Sequence, residues 1–201
     1  MTNRRQFLTI GIAAAVWPGI VSGAEGFSTL APAAKPARLP LYKAIYDTAY
    51  APAVDFAGRM RRQGVAVHAI EQDITSVWFN DLELQWRRSP AAIAGLTAPE
   101  ALFCLEHLAW NHRMRVVFRV THQRGADGVI EHHIRAPQDV LRYFKDTLDD
   151  GHGWGASMAE LAIHSRQDHA SGTENLTRGS RGGDVQGLPL VSWVIAPVVR
   201  T

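Results

Sequence analysis

Cysteine is nearly absent from this chain, and Cys104 is the only one among 201 residues. One thiol cannot form an internal disulfide, a four-cysteine zinc site, a cysteine-ligated iron–sulfur cluster or a CxxCH haem attachment. Cys104 itself lies in an apolar helical pattern, so we expect its side chain to be buried and unreactive.

An excess of charge of one sign is also lacking. The chain has 21 Lys and Arg residues against 19 Asp and Glu residues, which gives a net charge of +2. Arg4 and Arg5 account for both excess charges, so the chain that follows them is neutral. Neutrality argues against a broad surface for nucleic acid or anionic lipid, since either needs clustered Lys and Arg. No recognisable cofactor motif is present, which leaves the identity of any cofactor open.

Long hydrophobic runs are missing as well. The apolar run from Leu8 to Val21 is too short for a membrane-spanning helix, which needs about 20 apolar residues. A basic start and the small residues Ser22-Gly23-Ala24 make residues 1–24 typical of a secretory signal peptide. We therefore expect no membrane span in the mature chain. The alternatives are an uncleaved N-terminal anchor and a chance arginine pair before a buried helix.

The segment Arg4-Arg5-Gln6-Phe7-Leu8 resembles the twin-arginine signal of bacterial export. This resemblance covers residues 1–24 only and implies a periplasmic location after export in the folded state, with cleavage after Ala24. Passengers of that route often hold a cofactor or travel with a larger protein that does. The resemblance therefore also implies a possible cofactor-bearing partner in the periplasm.

The rest of the chain shows strand and helix patterns in alternation, which predicts an α/β fold. Residues 25–40 are rich in Ala and Pro and are predicted to be a flexible leader. Residues 41–201 are predicted to form a single domain, with a mostly parallel or mixed sheet flanked by helices. A polar segment with five glycines, residues 166–187, is predicted to be a mobile loop.

The clearest local patterns lie between residues 90 and 135. A strand ending at Thr97 precedes a helix over residues 98–111, and Thr97 with Glu100 fits a capping box. A β-hairpin follows near residues 114–135. Asp127-Gly128 is typical of a two-residue hairpin turn, and a turn there would place His122 directly opposite His133.

Nine histidines are present, but none has the spacing of a locally built zinc site. We therefore predict no metal site and expect surface or singly hydrogen-bonded histidines. His122 and His133 are the one pair that could share a metal ion or a carboxylate, if the two-residue turn forms.

Ligands of α/β sheets bind at the carboxyl ends of the strands. The candidate catalytic residues there are Asp47 and Asp73, and His122 joins them if its strand is parallel to the others. The candidate ligand-binding residues are Thr48, Glu71, Gly95 and Thr97. The alternative is that these residues serve only as turn and capping residues.

Two functions are compatible with these features. The first is an exported periplasmic protein that binds a small molecule or serves as an accessory subunit of a periplasmic oxidoreductase. The second is a small periplasmic hydrolase that uses strand-end carboxylates and a histidine. The sequence leaves open whether the protein is an enzyme.

Overall fold

The computed structural model describes residues 39–125, 129–137, 140–141, 143–144, 147, 153–165, 173–180 and 189–198. The strands are β1 (Leu41–Asp47), β2 (Val67–Ile70), β3 (Ala92–Thr97), β4 (Met114–Arg124), β5 (Ile130–Pro137), β6 (Thr173–Ser180) and β7 (Leu190–Pro197). The helices are α1 (Ala51–Arg62), α2 (Thr75–Val77), α3 (Glu83–Arg88), α4 (Pro99–Trp110) and α5 (Trp154–His164). A π-helical turn, Trp78–Leu82, joins α2 to α3.

The strands form one seven-stranded sheet in the order β2-β1-β3-β7-β4-β5-β6. Strand β1 pairs in parallel with both β2 and β3. Strand β7 is antiparallel to β3 and to β4, so β4 runs in the same direction as β3. The predicted α/β fold with a mixed sheet is therefore confirmed. Within the described ranges, no helix has the length and apolar character needed to cross a membrane.

Helices cover both faces of the sheet. Successive residues of a buried strand point to opposite faces, so both faces carry apolar side chains that need a packing partner. On β7, Val191, Trp193 and Ile195 pack with α3 and α4. Leu190 and Val194 of the same strand pack with α1 and α5. The result is three layers with two apolar cores, and we call the two faces the α4 face and the α5 face.

The start of α4 differs from the prediction. The residue before the helix is Ala98, and no side chain caps it. Thr97 is the last residue of β3, and its hydroxyl donates to the Ala98 carbonyl while accepting from the Trp193 indole at 3.1 Å. The capping box is wrong because the Thr97 hydroxyl is already engaged inside the sheet.

The β4–β5 hairpin is confirmed, but its register differs from the prediction. Arg124 pairs with Ile130, which leaves residues 125–129 between the strands, and His122 pairs with His132 rather than His133. The His122–His133 pair is therefore wrong, and the predicted Asp127-Gly128 turn lies outside the described residues. In the observed register Ile130 and Ile134 point into the core, whereas a shift of one residue would turn both to the other face.

Two further predictions concern segments that the structure describes only in part. Residues 166–187 were predicted to be a loop, but Thr173–Ser180 within that segment forms β6, which pairs with β5. A polar strand at the edge of a sheet lacks the alternating apolar pattern that a sequence reading depends on. The predicted signal peptide, and the predicted leader up to residue 38, lie outside the described residues.

Candidate functional site

The carboxyl ends of β1, β2, β3 and β4 meet at one edge of the sheet. The β1-to-β2 connection runs through α1 on the α5 face, and the β2-to-β3 connection runs through α3 on the α4 face. The chain thus leaves β1 and enters β3 with crossovers on opposite faces. Such a topological switch point is where open α/β sheets bind their ligands.

A cleft of about 520 Å³ opens at this edge on the α4 face. The loop after β2, residues 72–75, forms one wall together with the π-helical turn, and the first three turns of α4 form the other. Its lining includes Asp73, Trp78, Phe79, Glu100, Phe103 and Cys104. The volume lies within the range of small-molecule sites, and the mixture of aromatic side chains with a few polar groups is typical of them.

Aromatic rings are unusually accessible in this cleft. The Phe79 side chain is 61% exposed and that of Phe103 is 62% exposed. The His107 ring lies with its centroid 4.2 Å from the Phe103 ring, and its Nδ1 atom donates to the Phe103 carbonyl at 2.8 Å. That hydrogen bond fixes the orientation of the imidazole beside Phe103. The imidazole is therefore held beside a Phe103 ring that still faces solvent.

Carboxylates supply the polar groups of the cleft. Hydrogen bonds from the Thr75 hydroxyl and the Thr75 amide lower the pKa of Asp73, so this side chain is ionised at neutral pH. At the same edge, burial first, and then the charges of Asp47 and Glu100, raise the pKa of Tyr50. The edge thus has a negative local field.

The loop that carries Asp73 also holds a left-handed backbone. Gln72 has φ 65, a conformation that residues other than glycine seldom adopt. The side chain of Gln72 is exposed and lines the cleft. Backbone strain of this kind is concentrated at functional sites, since the surrounding structure must hold it in place.

The predicted strand-end residues divide into two groups. Asp73 lines the cleft, and the exposed Glu71 precedes it by two residues. Asp47 is fully buried at the end of β1, where its Oδ1 atom accepts from the Ala49 amide at 3.0 Å. Its Oδ2 atom has no hydrogen-bond partner among the described residues. Asp47 therefore places a buried carboxyl group at the switch point, beneath the surface.

The other strand-end candidates have structural roles. Gly95 lies inside β3, where an added Cβ would come within 2.2 Å of the Trp193 ring, so this glycine makes room for an indole. Thr97 is buried and bonded to that indole. The Thr48 amide and hydroxyl both donate to the Ile70 carbonyl, which joins the ends of β1 and β2.

His122 lies at the same edge but on the α5 face, so it does not join Asp47 or Asp73. Its Nδ1 atom is 2.7 Å from His132 Nδ1, and its Nε2 atom is 2.7 Å from Ser192 Oγ. The Trp154 ring of α5 lies over both imidazoles, with centroid distances of 4.5 Å and 5.1 Å. All three hydrogen-bonded side chains are fully buried.

Burial determines the charge of this histidine pair. Burial, reinforced by His132 and His133, lowers the pKa of His122 well below its usual value, and burial then His133 lowers the pKa of His132 to about 4. Both rings are thus neutral at neutral pH. One neutral imidazole must then donate to the other, and Ser192 donates or accepts to match.

No metal site is evident on either face. The described part of the chain contains no group of three or more His, Cys, Asp or Glu side chains placed to hold a metal ion. His133, the other candidate metal ligand, lies on the opposite face of the hairpin from His122. There it contacts Gln123, Glu131 and Thr177.

Two features of these sites were not predicted from the sequence. Cys104 is exposed in the cleft, so the expectation of a buried thiol is wrong. The helical spacing of Leu102, Leu105 and Ala109, which are buried, places Cys104 on the outer side of α4, and this signal was available. The pairing of His132 with His122 depended on strand register.

The carboxyl edge therefore carries an open, acidic, aromatic cleft on one face and a sealed, neutral histidine pair on the other. Neither arrangement repeats a motif that identifies a reaction. Comparison with protein-family models, with curated proteins and with solved structures finds no match for this chain.

Proposed function

We propose that this protein is exported to the periplasm and binds a small organic molecule in the cleft between the β2–α2 loop and α4. One observation carries the proposal: a cleft of about 520 Å³, lined by exposed aromatic rings, lies at the topological switch point of the sheet. Export of such a domain in the folded state agrees with the twin-arginine pattern of residues 1–24.

The position of the cleft favours it over a second cavity of the domain. That cavity, of about 380 Å³, lies at the opposite edge of the sheet and is lined by Leu39, Pro40, Pro90 and their neighbours. Its lining includes no carboxylate or other charged side chain. It therefore offers little to orient a polar ligand, whereas the switch-point cleft offers both apolar area and fixed charge.

The binding test uses Cys104 as a block, because it is the only cysteine and it lines the cleft. We expect the neutral fluorophore N-phenylnaphthylamine to show a saturable rise in fluorescence with the mature protein. Alkylation of Cys104 with N-benzylmaleimide should abolish that rise, and a Cys104→Ala variant treated in the same way should keep it. A signal that survives alkylation of the wild-type protein would place the fluorophore elsewhere and contradict the proposal.

The export part of the proposal has its own test. Replacing Arg4 and Arg5 together with lysine should leave full-length protein in the cytoplasm. The matched control replaces Arg61 and Arg62, an adjacent pair in α1, and should leave the periplasmic fraction unchanged. Periplasmic recovery of the Arg4→Lys, Arg5→Lys double variant at the wild-type level would contradict export by this route.

A role as an accessory subunit is compatible with ligand binding. In that case the protein should elute from gel filtration of a native periplasmic extract together with a larger, cofactor-bearing protein. Elution of the protein only at the mass of a single mature chain would argue against this role and leave ligand binding untouched.

A hydrolase is the second candidate. The observation in its favour is the chain of buried hydrogen bonds that links Ser192 to His122 and His122 to His132. A serine bonded to a histidine that is oriented by a third group is the arrangement of an activated nucleophile. Ser192 is, however, fully buried in a central strand, and neither Asp47 nor Asp73 lies on its face of the sheet. Covalent labelling of Ser192 by a fluorophosphonate would support hydrolysis, and the absence of labelling would contradict it.

A further inference from the structure

We propose that the ligand of the cleft is a planar aromatic cation; this inference rests on the proposed binding function and specifies the chemistry of the ligand. Three properties of the lining lead to it: the sign of its charges, the kind of surface it exposes and the hydrogen-bonding character of its polar groups. Each property is carried by side chains that the structure describes.

The charges of the lining are all of one sign. Asp73 and Glu100 lie on opposite walls, and none of the described residues that line the cleft is Lys or Arg. Asp47 places a buried carboxyl group at the end of β1, next to the same edge. An anionic ligand would meet repulsion from both walls, whereas a cation would gain attraction from both.

The exposed surface of the cleft is aromatic rather than aliphatic. Phe79 projects from the π-helical turn and Phe103 from α4, so the two walls each present a ring. A flat ligand between such walls gains stacking contact, and a positive charge over a ring face gains cation–π attraction. The combination of rings with carboxylates is the usual chemistry of sites for organic cations.

The carboxylates and the imidazole of the cleft are placed to accept hydrogen bonds, while the Gln72 amide both donates and accepts. Carboxylates accept only. The Nδ1 atom of His107 already donates to the Phe103 carbonyl, which leaves Nε2 as an acceptor in the neutral ring. A ligand with N–H donors on a charged heterocycle would satisfy these acceptors, while a phosphate or carboxylate ligand would not.

The test compares three bicyclic probes of nearly the same shape: the cation N-methylquinolinium, its neutral isostere methylnaphthalene and the anion naphthoate. The readout is the rate at which iodoacetamide alkylates Cys104 in the mature protein, because a bound probe covers the thiol. We expect the cation to protect at a concentration about tenfold lower than the neutral probe, and naphthoate to give no protection.

Charge variants locate the effect. The Asp73→Asn, Glu100→Gln double variant should bind the cation no better than methylnaphthalene. The side-chain amide oxygen that this change introduces at position 73 can still accept from the Thr75 amide, which preserves the loop. Glu83→Gln removes a negative charge on α3, outside the cleft, and should keep the tenfold preference for the cation. Circular dichroism melting curves of all variants check that the fold is intact.

The outcomes separate this inference from the function on which it rests. Equal protection by methylnaphthalene and N-methylquinolinium would overturn the preference for a cation and leave the cleft as a binding site. Stronger protection by naphthoate would overturn the sign of the charge. No protection by any of the three probes would contradict both the cation preference and the proposed binding function.

Discussion

The two faces of the carboxyl edge carry polar groups in opposite circumstances. On the α4 face, carboxylates and aromatic rings line an open cleft, and Phe79 and Phe103 are each more than half exposed. On the α5 face, His122, His132 and Ser192 are fully buried and satisfy one another. Buried polar groups that are paired stabilise a unique fold, whereas exposed groups that are ordered without a partner are available to a ligand.

The difference also explains why a histidine cluster is a poor guide to function here. Three polar side chains within hydrogen-bonding distance look like a reactive site when distance alone is considered. All three side chains are fully buried, with the Trp154 ring over both imidazoles, so they lie within the core. The less compact group on the other face has the access, charge and surface that binding requires.

The largest effect on stability is expected from removing the Trp154 ring that covers the buried histidine pair. Trp154→Ala deletes a buried indole that packs on both His122 and His132, and it should lower the free energy of unfolding by about 3–5 kcal/mol. Urea denaturation measures the loss. The matched control is Trp110→Ala on α4, where the indole is 48% exposed, and its effect should be less than half as large. Equal losses would mean that the two faces do not differ as described.

The second effect is a dependence of stability on pH to which the buried histidine pair of the α5 face should contribute most. Because the folded-state pKa values of His122 and His132 lie below the unfolded value near 6.5, the unfolded chain binds more protons. Stability should be full above pH 6.5 and should fall as the pH drops from 6.5 toward 4, by at most about 1.4 kcal/mol per pH unit for each histidine.

Urea titrations between pH 7.5 and pH 4.5 measure this slope. The triple variant His122→Leu, His132→Leu, Ser192→Ala replaces the whole polar group with apolar side chains and should flatten it. His107→Asn, which changes an exposed histidine in the cleft, should leave it unchanged. A slope that persists in the triple variant would show that other groups, such as His68 with its lowered pKa, dominate.

The elements of this fold were predictable where the signal is local. The pattern after the strand that ends at Thr97 predicts a helix over residues 98–111, and the structure has α4 over Pro99–Trp110. The parallel arrangement of β1 to β3 followed from the alternation of strands and helices. Strand β6 was missed because an edge strand of polar residues has no periodic apolar pattern.

The sites were less predictable, because they depend on which face a residue takes. A shift of one residue in the hairpin exchanges His132 for His133, and the register is decided by the burial of Ile130 and Ile134. The cleft combines a loop after β2 with a helix after β3, which are distant in sequence. Asp73 was identified from its position at a strand end, whereas Phe79, Phe103 and Cys104 were not.

A third, smaller effect concerns strain in the wall of the cleft. Gln72→Gly relieves a left-handed backbone at φ 65 and should raise the free energy of unfolding by about 0.5–1 kcal/mol. The reverse change is available at Gly64, which has φ 77 and open space where a Cβ would lie, so Gly64→Ala should lower stability by a similar amount. Thermal melting measures both. The two substitutions should change the free energy of unfolding in opposite directions. Destabilisation by Gln72→Gly would mean that the glutamine side chain holds the loop.

The smallest expected change in stability is also the sharpest contrast between the faces. Phe103→Ser removes a ring that is 62% exposed and should alter the free energy of unfolding by less than about 0.5 kcal/mol, because little apolar surface becomes newly exposed and serine has a similar helix propensity. The same substitution should abolish protection of Cys104 by N-methylquinolinium. Leu84→Ser, at a 47% exposed position on α3 outside the cleft, should change neither quantity. If Phe103→Ser instead destabilised the fold strongly while protection survived, the open face would be part of the core, and the distinction between a binding face and a structural face would fail.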